Sequence, residues 1–214
     1  MQKILAKTFL WMFIGLVVTF LTGYLISTNE IMAYNIFGGS KYVLFIIAEF
    51  IMVFVLSARV FKMSPTIARV CFLFYSFLSG LTFASIFIVY ELTSIMYVFL
   101  IAAAVFGVMA FIGATTEVDL TKIGTYFMIG LVGVIILTLI NALIIHSTGI
   151  EFTVSIVCLV LFIGVTAYDI QKIMRLKDQD IPEDNLAIYG ALELYLDFIN
   201  IFLDLLRLFG NSKD

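Results

Sequence analysis

The sequence predicts an all-α membrane protein, a seven-transmembrane-helix bundle with the last helix central. Three observations predict it. Hydrophobic residues make up 63% of the 214 positions and charged residues only 13%, against about 25% charged in ordinary soluble domains. The mean hydropathy is +1.16. The apolar residues gather into seven runs, each near the ~20 residues that cross a bilayer as a helix. A soluble core of this length has no room for so much apolar surface, so lipid is the expected solvent for most of it. Runs of this length in lipid must satisfy their own backbone N–H and C=O groups, which leaves only helices.

The expected spans are 7–28, 42–61, 68–90, 93–114, 121–145, 152–172 and 186–209, forming one transmembrane domain over 1–214. Span 1 follows Lys3 and Lys7. It is too long for a signal-peptide core and no small-residue cleavage site follows it, so it reads as a retained helix. Gly38-Gly39 leads into span 2, which carries Glu49 and ends at Arg59. Ser64-Pro65 and Glu91-Leu92 bracket span 3. Small residues in span 4 (Ala103, Gly107, Ala110) and span 5 (Gly130, Gly133) are expected to let helix backbones approach. Glu117 to Asp119 separates those two spans, and Thr148-Gly149 precedes span 6. The segment Asp178 to Asp184, holding Pro182, leads to span 7. Both prolines fall in connections, so no span is broken by one.

Lys3, Lys7, Arg59, Lys62, Arg69, Lys122, Lys172, Arg175 and Lys177 place nine of the twelve basic residues on one side. The positive-inside rule makes that side, and the N-terminus, cytoplasmic. A net charge of −3 with no basic run argues against nucleic acid as a partner. Cys71 and Cys158 lie in apolar stretches without Cys-x-x-Cys spacing and read as small buried hydrophobes. His146 is the only histidine, so no zinc site is expected.

Ionisable residues inside a membrane cost about 2.5–3.5 kcal/mol each and are functional candidates by default. In span 7, Glu193, Asp197, Asn200, Asp204 and Arg207 fall within an arc of roughly 80° at about 100° per residue. The rest of that helix is Leu, Ile, Phe and Tyr, so the stripe is expected to face protein or water. A flat interfacial helix is the competing reading, but such helices usually carry Lys and Arg on the polar face. Asp169 sits about one turn inside the end of span 6, where its carboxyl can approach Asp197. Two carboxyls close together in a low dielectric cannot both ionise cheaply and titrate as a unit. Deprotonated, they also suit a hard cation such as Ca²⁺, in a transient metal contact. Arg59 is expected level with Asp169, where an Arg–carboxylate pair would close one mouth of a pathway. Glu49 is expected near Asp204, as a second acidic site in the same pathway.

At these residues the chain resembles the Bax inhibitor family, the transmembrane Bax inhibitor motif proteins. The strongest stretches are Tyr168-Asp169-Ile170-Gln171-Lys172-Ile173 and Leu194-Tyr195-Leu196-Asp197-Phe198-Ile199-Asn200, continuing to Leu205-Leu206-Arg207. Ser79-Gly80-Leu81-Thr82, Phe106-Gly107 and Asp119-Leu120 follow the family in the expected order. The resemblance implies a seven-helix bundle with a central last helix and a pH-responsive cation leak, chiefly of Ca²⁺. By motif, the family's pH-sensing acidic pair maps to Asp169 and Asp197, and its second-helix latch to Arg59. Glu193 and Asp204 rest on the stripe alone.

The expected function is therefore a pH-sensitive calcium leak channel of the plasma membrane, not an enzyme, with Ca²⁺ as permeant ion and no tightly bound cofactor. Lipid, calcium ions and protons are the expected partners, and a monomer suffices. A proton-coupled exchanger would use the same carboxylates, although no span carries the proline break that would favour one. An interaction protein that modulates proteolysis or stress would leave the acidic pair incidental. An intramembrane aspartyl protease fits poorly, because Tyr195-Leu196 precedes Asp197 where a Gly-x-Gly-Asp motif would be required. A retinal receptor is excluded by the lack of a lysine in span 7.

Overall fold

Seven helices long and apolar enough to cross a membrane are present in a computed structural model, which describes residues 2–38 and 41–213. They are α1 (Gln2–Ser27), α3 (Lys41–Arg59), α4 (Pro65–Val89), α5 (Leu92–Thr115), α6 (Thr121–Ile140), α7 (Thr148–Leu176) and α8 (Glu183–Phe209). A short α2 (Glu30–Phe37) lies between α1 and α3. Among the described residues there is no strand, only an isolated bridge between Tyr90 and Ser212. The protein is thus an all-α membrane bundle.

Local chemistry explains where the helices start. The Asn29 side chain accepts from the Met32 N–H and caps α2, whose first turn carries Glu30. Ser64 caps α4 in the same way, with Pro65 at the first helical position, where a missing N–H costs nothing. The end of α6 departs from α geometry. Residues Asn141–Ile145 form a π-helical turn and His146 adopts a left-handed conformation with φ 55°. The buried Asn141 amide holds that corner, donating to the Ser147 carbonyl at 3.1 Å and accepting from the Ser147 N–H at 3.0 Å.

The chain forms two compact units, the first of Met1–Leu92, Leu176–Tyr195 and Ser212–Asp214, the second of Thr93–Arg175 and Leu196–Asn211. In the first, α1 packs closely on α4. Gly15 faces Phe72 and Ser76, and Gly80 faces Thr22 and the Thr19 carbonyl, so a Cβ at either glycine would collide. The buried Thr19 hydroxyl donates to the Ser76 carbonyl at 2.9 Å and lies 2.6 Å from the Tyr195 hydroxyl. Asn185, fully buried, donates to the carbonyls of Val60 at 2.5 Å and Met63 at 2.8 Å, tying the start of α8 to the turn after α3. In the second unit, Gly113 abuts the backbone of Ala167 and Gly124 abuts the ring of Tyr168. Phe198 packs edge-on against Phe99 and Phe106.

Several expectations are corrected. Spans 1, 6 and 7 begin earlier than expected, at Gln2, Thr148 and Glu183, because polar first turns at the membrane surface are invisible to hydropathy. Gly107 and Gly133 face open space, with nothing within 4 Å of a Cβ placed there. Gly130 does meet a neighbour, the Leu161 side chain 3.2 Å from such a Cβ, and tighter approaches fall on Gly113 and Gly124, since a small residue marks a helix contact only when a partner helix covers it. The expected Gly38-Gly39 connection lies partly outside the described residues, at Gly39.

Candidate functional site

Burial separates the last helix from the others. Within its most apolar window α8 is 78% buried, against 6% for the span Thr121–Ile145. A lipid-exposed helix needs no inward face, whereas α8 must satisfy every polar group it carries from within the protein. Of its stripe, Asp197 and Asp204 are each 3% exposed, Glu193 and Asn200 are half-buried, and Arg207 is exposed. A helix lying flat at the interface would put these aspartates in water, so the buried reading of the stripe holds.

Three stripe residues, Asn200, Asp204 and Arg207, make contacts within α8 itself. Asp204 accepts from Arg207 one turn on at 3.3 Å, giving its carboxylate a cation within the same helix. Asn200 donates back to the Leu196 carbonyl at 2.7 Å. Asp197 lies between Tyr195, fully buried, and Phe198, 2% exposed.

Asp169, on α7, is 4% exposed and belongs with Asp197 to the second unit. Lys172 reaches it from the next turn at 3.6 Å. The end of α7 is anchored just beyond. Gln171 accepts from the Leu120 N–H at 2.9 Å and donates to the Val118 carbonyl at 2.8 Å, closing on the connection between α5 and α6. Arg175 extends the anchor, donating to Gln171 at 2.7 Å, to Thr121 at 2.5 Å and to Asp119 at 2.8 Å. Hydrogen bonds from Thr121, with Arg175 beside them, hold the Asp119 carboxyl well below the usual carboxylate range. These contacts fix the height and rotation of α7 two residues from Asp169.

Gln171, Lys172 and Arg175 are positioning residues that the sequence reading did not single out as such. Gln171 and Lys172 stand inside the Tyr168–Ile173 motif, but the partners of Gln171 and Arg175 in and just after the α5–α6 connection are some fifty residues away and carry no local signal.

In the first unit, Glu49 is half-buried on α3 and accepts from the Thr82 hydroxyl on α4 at 2.8 Å. Arg59 ends α3 exposed, and its guanidinium makes no hydrogen bond or ion pair among the described residues. Lys7 and Arg69 meet the acidic start of α8, at 3.0 Å from Glu183 and 2.6 Å from Asp184 respectively. Among the described residues no three His, Cys, Asp or Glu are grouped to hold a metal ion.

The whole chain, residues 1–214, matches the family model described as inhibitor of apoptosis-promoting Bax1. An uncharacterized protein of Borreliella burgdorferi is 40% identical over 100% of this chain and 94% of its own length. The Escherichia coli inner membrane protein YbhL is 37% identical, over 100% of this chain and 93% of its own. An uncharacterized protein of Deinococcus radiodurans is 35% identical, over 100% of this chain and 92% of its own.

Proposed function

This chain belongs to the Bax inhibitor family, and from that premise we propose that it is a pH-sensitive cation leak, chiefly of Ca²⁺, gated by Asp169 and Asp197. The observation that carries the reading is the burial of both carboxyls, 4% and 3% exposed, on the last two helices. Each costs roughly 2.5–3.5 kcal/mol to place in a membrane and contributes nothing to apolar packing. A pair kept at that cost is best explained by what its protons do.

The mechanism follows from charge. Deprotonated, the pair offers hard oxygen donors to a passing divalent cation. Two carboxylates are too few for a resident Ca²⁺ site, which takes ~6–8 oxygens, so the ion is substrate and not a bound cofactor. Protonation removes both the mutual repulsion and the attraction for a cation. A tenfold shift between closed and open states needs only about 1.4 kcal/mol, the worth of one pKa unit of difference between them. Arg59 is the proposed latch, pairing with a carboxylate in the closed state. Glu49, Glu193, Asn200, Asp204 and Arg207 are proposed to line the rest of the pathway. The N-terminus is assigned to the cytoplasm by the basic connections, and the plasma membrane fits the Escherichia coli relative, an inner membrane protein by name. No enzymatic step is proposed.

The test is Ca²⁺ flux into liposomes holding the purified protein, across roughly pH 5 to 8. Wild type should show pH-dependent flux, and Asp169→Asn with Asp197→Asn should flatten it. Absence of flux at every pH in well-folded protein would remove the channel reading. A proton-coupled exchanger uses the same carboxylates but would move protons stoichiometrically against Ca²⁺. A pH dye sealed inside the liposomes distinguishes the two.

A further inference from the structure

The second unit holds a cavity of mixed polar and apolar lining, of which the proposed pathway uses only Arg207. Its volume is about 260 Å³, and Glu151, Ser155, Cys158, Asn141, Thr138 and Arg207 are among its lining residues. That is just under the ~300–1,000 Å³ of sites that enclose a drug-sized ligand. Asn141, at the start of the π-helical turn, contributes to the lining, and its bonds to Ser147 hold it in place. Such π turns inside membrane helices frequently mark functional positions.

The lining is chemically specific. Glu151 lies in the first turn of α7, where its backbone N–H donates to the Ser147 carbonyl at 3.2 Å, and its carboxylate makes no ion pair or hydrogen bond among the described residues. Arg207 lines the cavity and gives one N–H of its guanidinium fork to Asp204 at 3.3 Å, with further donors on the same fork. Ser155 is 3% exposed, and its hydroxyl has no hydrogen-bond partner among the described residues. A carboxylate and a guanidinium that face one cavity without pairing ask for a ligand carrying both charges. Next in sequence to lining residues, or one helical turn from them, Ile140, Ile144, Phe152 and Ile156 are 40%, 73%, 55% and 42% exposed. In an all-α membrane bundle these side chains meet lipid, so a ligand entering past them brings hydrocarbon with it.

We propose that this cavity binds the headgroup of an ethanolamine-class phospholipid, with phosphate on Arg207 and primary ammonium on Glu151. Arg207 presents a planar fork suited to phosphate oxygens. A primary ammonium has three protons to donate, enough for Glu151 and the Ser155 hydroxyl together. A choline headgroup has none, and a glycerol headgroup leaves Glu151 facing a phosphate with no cation between. The acyl chains lie along the exposed apolar side chains beside the cavity. The assignment does not use the gating pair, since neither Asp169 nor Asp197 lines the cavity, and it shares only Arg207 with the proposed pathway.

The test is native mass spectrometry of the detergent-solubilised protein with equimolar phosphatidylethanolamine, phosphatidylcholine and phosphatidylglycerol. Wild type should retain the ethanolamine lipid about tenfold over the glycerol lipid, near the worth of one charge-assisted hydrogen bond. Glu151→Gln should abolish that preference while leaving the melting temperature of the lipid-free protein unchanged, and Glu151→Asp should restore part of it. Arg207→Lys should weaken retention of all three. Equal retention by wild type, or an undiminished preference in Glu151→Gln, would overturn the proposal. So would displacement of the lipid by stoichiometric glycerophosphoethanolamine, which would make the ligand a soluble zwitterion.

Discussion

The last helix carries acidic residues in two settings, and the protein treats them in opposite ways. At its start, the side chains of Glu183 and Asp184 are 44% and 35% exposed and are met by Lys3, Lys7 and Arg69 from α1 and α4. Further along, Asp197 and Asp204 are each 3% exposed in a helix otherwise filled with Leu, Ile, Phe and Tyr. Water and several cations satisfy the first group, so its contribution is that of an ordinary surface network. The second group is held where ionisation is expensive, with Asp204 met by the Arg207 guanidinium of its own helix. The difference teaches that position along one helix, and not residue type, separates a clamp from a candidate gate.

Neutralising one member of each group is the sharpest contrast and should give the largest effect. Asp197→Asn is expected to flatten a pH dependence of Ca²⁺ flux that spans tenfold or more in wild type, whereas Asp184→Asn leaves the profile in place. Equal loss in both variants, measured in the same liposomes, would break the comparison.

A second effect comes from the helix that carries Asp169. A Cβ at Gly113 would collide with the backbone of Ala167, two residues before that aspartate. Gly113→Ala should therefore cost about 1–3 kcal/mol in a mixed-micelle unfolding titration. Gly133→Ala, with nothing within 4 Å, should stay within about 0.5 kcal/mol.

The clamp should matter less. Glu183→Gln with Asp184→Asn is expected to lower stability by about 1 kcal/mol or less at low salt, and the difference should shrink at high salt. A loss insensitive to salt would mean the clamp is buried in a way its exposure does not suggest.

The smallest effect belongs to Asp119, whose side chain is 69% exposed. Its carboxyl is held below the ordinary range by Thr121 and Arg175, so its contribution is fully present above the unfolded-state value and is lost only as pH falls into strong acid. Asp119→Asn should slightly lower the melting temperature at neutral pH, and wild type and variant should converge toward acid.

Much of this organisation was legible in the residues themselves. Seven runs of lipid length forced seven helices, and the spacing of Glu193, Asp197, Asn200 and Asp204 put one polar face on α8. The short α2 escaped because a helix of eight residues, with none of them buried, has no hydropathy signature. Asn29 before Glu30, with Gly38 at the end, was the local signal for it. The clamp escaped for a different reason. Lys7 and Asp184 are 177 residues apart, and only the folded chain shows that the supposed connection Asp178 to Asp184 ends in a helix start facing α1 and α4. The π turn at Asn141 and the anchor through Gln171 are also tertiary, since neither depends on a periodicity that a linear pattern can reveal.

The most direct test of the central claim joins protonation to flux. Infrared difference spectra of the protein in lipid, taken across roughly pH 5 to 8, report protonated carboxyls through their C=O stretch. A buried carboxyl band should vanish as pH rises along the same curve as the Ca²⁺ flux changes, and Asp169→Asn with Asp197→Asn should remove both. A band that titrates unchanged in the double variant, or a flux curve unrelated to any carboxyl band, would contradict gating by this pair.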